Sequence, residues 1–113
     1  MSKDPAYLLD ILQNARLILT FIPGSLDAFA SDLKSQYAAI RCFEIIGEAT
    51  KRISTEFRQQ HPEIAWKAMA GMRDVVIHDY DKVNIKKTWE FIQNDIPALI
   101  AQIEPLIPPN DEA

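Results

Sequence analysis

The chain has 113 residues, 48% of them hydrophobic and 25% charged, which suits one buried core and is too apolar for a disordered segment. A formal net charge of −4 argues against a protein that grips nucleic acid with its whole surface, and the one cysteine, Cys42, rules out an internal disulfide or a thiolate metal cluster. No apolar run approaches the roughly 20 residues of a bilayer span, and Asp10, Gln13, Asn14 and Arg16 interrupt the opening stretch where a signal peptide would need an apolar core, so the expectation is a cytoplasmic protein with no membrane contact.

In chain order, the first helix opens with Asp4 as N-cap and Pro5 at the first helical position, where a missing N–H costs nothing. Leu8, Ile11, Leu12, Ala15, Ile18, Leu19 and Ile22 recur at helical spacing until Pro23-Gly24 stops the run. Ser25 can cap a short turn through Phe29. A long second helix is predicted from about Asp32 to Gln60, with Tyr37, Ile40, Phe43, Ile46, Ala49, Ile53 and Phe57 as its buried stripe. Lys34, Arg41, Glu48, Lys51, Arg52 and Arg58 take the wet side. Gly47 in its interior costs roughly 1 kcal/mol relative to Ala, a cost that a close helix–helix approach explains. His61-Pro62 ends the helix, and His61 reads as a capping or surface residue.

The third helix runs from about Glu63 or Ala65 to near His78, packing through Trp66, Met69, Met72, Val76 and Ile77. A polar break follows over residues 78–82. Asn84 then caps a fourth helix that carries Ile85, Trp89, Ile92, Ile96, Leu99, Ile100 and Ile103, with a kink expected at Pro97. Nothing reads as a strand or a hairpin. The expected fold is an all-α antiparallel bundle of four to five helices over residues 1–107, followed by a flexible acidic tail over residues 108–113.

Charge is unevenly spread. Residues 51–87 carry eight basic side chains against five acidic ones, whereas residues 88–113 carry five acids and no base. Any anion site therefore belongs in the middle third. The reactive candidates there are few: no Gly-rich phosphate loop, no HExxH and no paired cysteines. What remains is Arg73-Asp74-Val75-Val76-Ile77-His78-Asp79-Tyr80. An arginine offers a permanent fork-shaped cation for a phosphate, and a histidine exchanges a proton near neutral pH. RNA cleaves itself when its 2′-hydroxyl is deprotonated and the charge growing on the phosphorus oxygens is stabilised. These two residue types supply that minimum without a metal or a cofactor.

Spacing sets a condition. Five residues turn an ideal helix by about 140°, so Arg73 and His78 would not share a face. Either the helix ends near His78 and turns it back, or a symmetric dimer gathers two Arg/His sets in one cleft. On the residues alone, a plainer reading stays open: Arg73 paired with a nearby acid, and His78 as a cation at a helix C-terminus.

The chain resembles the HepT-like branch of the HEPN superfamily, the toxin half of HepT/MntA modules, from about Leu8 to Leu106. The resemblance rests on Phe43-Glu44-Ile45-Ile46-Gly47-Glu48-Ala49, on Pro62-Glu63-Ile64-Ala65-Trp66, and on Gly71-Met72-Arg73 through His78-Asp79-Tyr80. Trp89-Glu90 and Ile96-Pro97-Ala98-Leu99 complete it. It implies a homodimeric, HEPN-like helical bundle with R-x4-H-x-Y at the dimer cleft, and a metal-independent endoribonuclease acting as toxin in a type VII-like toxin–antitoxin pair. By carry-over Arg73 holds the scissile phosphate and His78 acts as general base or acid. Tyr80 matches the tyrosine that a cognate MntA-like nucleotidyltransferase antitoxin modifies with AMP. The position after the arginine, commonly Asn in the family, is Asp74 here: its carboxylate either repels RNA or pairs with Arg73 and orients it. The alternative function is a catalytically weak HEPN module that binds nucleotide or serves only as a nucleotidyltransferase partner.

Overall fold

The computed structural model describes residues 2–79 and 82–108, the side chains of His78, Asp79 and Lys82 excepted. Helices α1 (Asp4–Phe21) and α3 (Leu33–Arg52) make the most extensive contact. They run antiparallel, because Asp4 at the start of α1 meets Ser54 just past the end of α3. Between them lie Leu8, Ile11, Leu12, Ala15 and Ile18 from one side and Ala39, Phe43 and Ile46 from the other, all essentially sealed from solvent. Each large side chain buried this way stabilises the fold by about 1.5–3 kcal/mol.

The remaining elements close around this pair. Helix α2 (Leu26–Ala30) is capped by Ser25, whose hydroxyl accepts from the Ala28 amide at 3.1 Å. Its Phe29 packs against Trp89 of α7 (Ile85–Glu90), ring centroids 5.6 Å apart. Helices α5 (Trp66–Ala70) and α6 (Met72–Val76) cover a second side of α3 through Trp66, Met69, Met72 and Val76. A π-helical turn (Phe91–Asp95) and α8 (Ile96–Ile103) add Ile92, Ile96, Leu99 and Ile103 to the core. The expected cap at Asn84 is present: its side chain accepts from the Lys87 amide at 3.0 Å. The fold is an all-α bundle, and no helix among the described residues is long and apolar enough to cross a membrane. Apart from Pro108, the expected tail lies outside the described residues.

Several boundaries differ from those the periodicity predicts. The second predicted helix does not continue to Gln60; it breaks at Ile53–Ser54, and Thr55–Gln60 forms a separate helix, α4. Ser54 caps α4 by accepting from the Phe57 amide at 3.1 Å. Asp4 holds the break from the far end of the sequence, accepting from the Ser54 amide at 2.8 Å and from its hydroxyl at 2.6 Å. Asp4 is thus not the N-cap of α1, a place taken by Lys3. Leu19, expected in the buried stripe of the first helix, is exposed, and Tyr37, expected in that of the second, is 71% exposed. The reason is geometric: Tyr37, Arg41, Glu44 and Glu48 recur at helical spacing on the open side of α3. The third predicted helix is interrupted at Gly71 and stops at Val76. A two-stranded ribbon follows, contrary to the strand-free expectation: β1 (Ile77–Asp79) pairs with β2 (Lys82–Val83), Ile77 opposite Val83. Helix backbone gives way here because Ile77 is extended and the Asn84 amide donates to the Val76 carbonyl. Pro97 is the second residue of α8, which follows directly on the π turn, a place at the start of a helix where a residue without an N–H is tolerated.

The Asp4–Ser54 link gives a stability prediction. Burial of Asp4 pushes its carboxyl upward, but the Ser54 hydroxyl and amide, Ser2 and the charge of Arg58 outweigh this and hold it below the ordinary carboxylate value. A lowered folded value means that the stabilisation is present above the ordinary carboxylate range and is lost as pH falls through the lowered value. Asp4→Ala leaves the Ser54 amide without its acceptor and should cost about 2 kcal/mol in denaturant unfolding at neutral pH. The gap from wild type should narrow in acid; a gap that does not change with pH would contradict the assignment.

Candidate functional site around Arg73

Arg73 is the second residue of α6, whose register is fixed by Met72 and Val76, four apart and both buried against the core. Arg73 and Asp74 consequently face outward. The Arg73 side chain is 42% exposed and lies across the open face of α3, with Nε 3.4 Å from a carboxylate oxygen of Glu44. Its Nη1 is 3.6 Å from the Asp74 carboxylate, which is itself 80% exposed. Neither contact is a well-formed hydrogen bond. Nε is sealed from solvent and has no hydrogen-bond partner, a condition that costs a buried donor about 1–3 kcal/mol.

The guanidinium stands at a pocket of about 250 Å³ between α3 and the α5–α6 pair, where Arg41, Lys51 and Arg73 meet Glu44, Glu48 and Asp74. Lys51 is 3.5 Å from Glu48, and Arg41 pairs with no acid among the described residues. Arg41, Glu44 and Glu48 also line an adjoining pocket of about 220 Å³ with Tyr7, Asp10 and Arg52. The two form one trough along α3, smaller in each part than the pockets of about 300–1,000 Å³ that enclose whole ligands.

Gly47 makes this arrangement possible. A Cβ there would stand 3.1 Å from the Ala70 carbonyl oxygen, so glycine lets α5 approach α3 this closely without crowding, and a larger side chain would have to push the two apart. The close approach expected from the sequence is therefore present, and it sets α6 beside Glu44.

Of the residues singled out from the sequence, the structure brings Arg73 and Asp74 to one pocket. The backbone of His78 lies in β1, two residues past the end of α6, so the helix does end before the histidine. The His78 side chain and Tyr80 lie outside the described residues. His61 is the C-cap of α4, its ring 4.7 Å from that of Phe57 and its carbonyl accepting from the Trp66 indole at 2.9 Å, which makes it a structural residue. Cys42 is 3% exposed, and burial pushes its thiol up, with Arg41 pulling the other way; it is an inert core residue. Among the described residues no group of His, Cys, Asp and Glu could hold a metal ion. Sequence reasoning assigned no part in the site to Arg41, Glu44 or Lys51. The signal available was their recurrence, with Glu48, on one face of the long helix.

These features define an all-α bundle with an arginine-centred trough of mixed charge, in which Arg73 stands on the short α6 and the backbone of His78 lies in the ribbon that follows. Residues 11–106 match the family model described as ribonuclease HepT-like. The chain belongs to that family. It is 44% identical over 88% of its length, and 92% of the relative's, to "Probable ribonuclease HepT" of Thermococcus cleftensis. A protein of Methanocaldococcus jannaschii and one of Caldanaerobacter subterraneus subsp. tengcongensis, each named as a "Putative RNase", are both 40% identical. The first match covers 90% of this chain and 85% of the relative, the second 95% and 96%. No solved structure matches the chain.

Proposed function

We propose that this protein is a metal-independent endoribonuclease and the toxin of a type VII-like toxin–antitoxin pair. The observation that carries the reading is the placement of Arg73, the first residue of R-x4-H-x-Y, at an open trough in a chain of the ribonuclease HepT-like family. In this reading Arg73 binds the scissile phosphate through its guanidinium fork and stabilises the charge growing on the phosphorus oxygens. His78 takes or gives the proton. The 2′-oxygen, deprotonated, attacks phosphorus as the bond to the 5′-oxygen breaks; the departing oxygen is protonated, leaving a 2′,3′-cyclic phosphate and a 5′-hydroxyl. The homodimer belongs to the same proposal, with two motifs facing one cleft.

Tyr80 is the proposed point of control, through AMP added by a cognate MntA-like nucleotidyltransferase antitoxin. A phosphate on a phenol two residues from His78 would place an anion where RNA must lie and opposite Arg73. Protein isolated with its partner should therefore show an intact mass increased by about 330 Da or a multiple, carried on Tyr80.

The direct test is cleavage of single-stranded RNA by the unmodified protein in EDTA, with the cyclic phosphate sought at the new 3′ end. The second reading, a catalytically weak module that binds nucleotide or serves only a nucleotidyltransferase partner, is favoured by the three carboxylates that share the pocket with its three cations. Asp74 allows a further test, of whether its carboxylate repels RNA or orients Arg73. Its carboxylate is exposed and therefore screened, so its repulsion of RNA is modest. Asp74→Asn should tighten RNA binding by about 3- to 5-fold at low salt and less at high salt, measured by titration of a labelled oligonucleotide. Weaker binding would show that Asp74 serves to orient Arg73 instead.

A further inference from the structure

We propose that Glu44 is a positioning residue for Arg73, gripping the guanidinium through Nε so that its two terminal nitrogens stay free for a phosphate; the inference rests on the ribonuclease reading of the same site. Three observations converge on it. Nε is the guanidinium nitrogen nearest to Glu44, 3.4 Å away. That Nε is closed off from water and lacks any hydrogen-bond partner, so only a neighbouring protein group can satisfy it. Glu44 also stands on the 20-residue α3, whereas Arg73 stands on a helix of five residues. A short helix cannot hold a long side chain still on its own; a carboxylate on a rigid neighbour can.

The other acids of the pocket do not fill this part. Glu48 is engaged with Lys51. Asp74 lies against Nη1, on the edge that a bidentate phosphate would use, so it competes with the substrate where Glu44 does not. A small inward movement of the Glu44 carboxylate converts the 3.4 Å approach into a charge-assisted hydrogen bond. Arginine's fork then presents its remaining donors in a fixed plane.

Positioning and plain electrostatics predict opposite outcomes for Glu44→Ala. Removing a negative charge from an anion site should by itself help RNA to bind. Losing the grip on Arg73 should slow the chemical step by about 10²-fold, the scale of a misplacement near 1 Å. The expected result is a fall in kcat with no rise in KM. Glu44→Gln, which keeps an oxygen to accept from Nε, should recover part of the rate, and the melting temperature should move little because the side chain is 39% exposed. In an Arg73→Ala background Glu44→Ala should have no further effect. Losses that multiply, or a KM that rises as kcat holds, would overturn the proposal.

A second measurement needs no activity. Exchange of the Arg73 Nε proton with water, followed by NMR, should be slow in the wild type and faster in Glu44→Ala; equal exchange would overturn the assignment. Wild-type protein that never cleaves RNA would remove the ribonuclease reading and leave this contact to be judged by exchange alone. Cleavage abolished by Arg73→Ala but untouched by Glu44→Ala would remove only the role of Glu44.

Discussion

Arg73→Ala and His78→Ala should each lower cleavage of single-stranded RNA in EDTA by about 10²-fold or more, with helix content unchanged. The size follows from what each group does in the proposed step. Without the guanidinium, the charge growing on the phosphorus oxygens has no fixed cation at the head of the trough. Without the imidazole, water must move the proton. The fold should tolerate the arginine change, since α6 is anchored by Met72 and Val76 and the Arg73 side chain is 42% exposed. Arg73→Lys should recover only part of the loss, because an ammonium keeps the charge but not the planar fork. Rates are best compared at low and high salt, since a residue that only attracts RNA loses its effect on screening, whereas one that stabilises the transition state keeps most of it. Undiminished cleavage in either alanine variant would show that the motif is not the site.

How far the sequence carried this reading depends on whether a feature is local. Helix caps at Ser25 and Asn84 are local, each a side chain accepting from an amide three residues on, and both are present in the structure. Most of the buried faces of α1 and α8 follow from spacing for the same reason, Leu8 through Ile18 and Ile96, Leu99 and Ile103 among them, although Leu19 is exposed. The partner of Asp4 is 50 residues away: the proline beside it and its place before an apolar run both suggest a cap, and nothing nearby points to Ser54. That pairing also hides the end of α3, since Ile53 and Phe57 continue the four-residue rhythm across a real break. An aromatic at helical spacing suits a core, yet the neighbours of Tyr37 along the same face of α3, Arg41 and Glu44, mark the open side. The ribbon was invisible for a simpler reason, with three residues pairing with two and no room for alternation to show. For the site, Arg73 and Asp74 could be named from the motif, but the contact between Arg73 and Glu44 joins residues 29 apart in the chain. Only the packing of α6 on α3 reveals it.

That packing hinges on one residue, and the second large effect is expected there. Two forces oppose each other at Gly47. Glycine inside a helix is worth about 1 kcal/mol less than alanine, so a substitution would gain stability if space allowed. The Ala70 carbonyl oxygen at 3.1 Å and the Met69 carbonyl oxygen at 3.7 Å leave room for a methyl only if the neighbouring backbone gives slightly. Gly47→Ala should therefore come out close to neutral, propensity offsetting crowding. Gly47→Leu cannot, since its Cβ already crowds the α5 backbone and three further carbons must be fitted beside it, and overpacking of this kind costs about 1–3 kcal/mol. In a domain of this size that lowers the melting temperature by roughly 4–12 °C. The loss should reach the site as well: α5 leads through Gly71 directly into α6, so forcing α5 off α3 draws Arg73 away from Glu44. Cleavage should fall in Gly47→Leu even at temperatures where circular dichroism shows the helices intact, and Gly47→Ala should retain most of it. A leucine variant that melts with the wild type and cleaves as well would mean that the α3–α5 approach sets neither the stability of the bundle nor the geometry of Arg73.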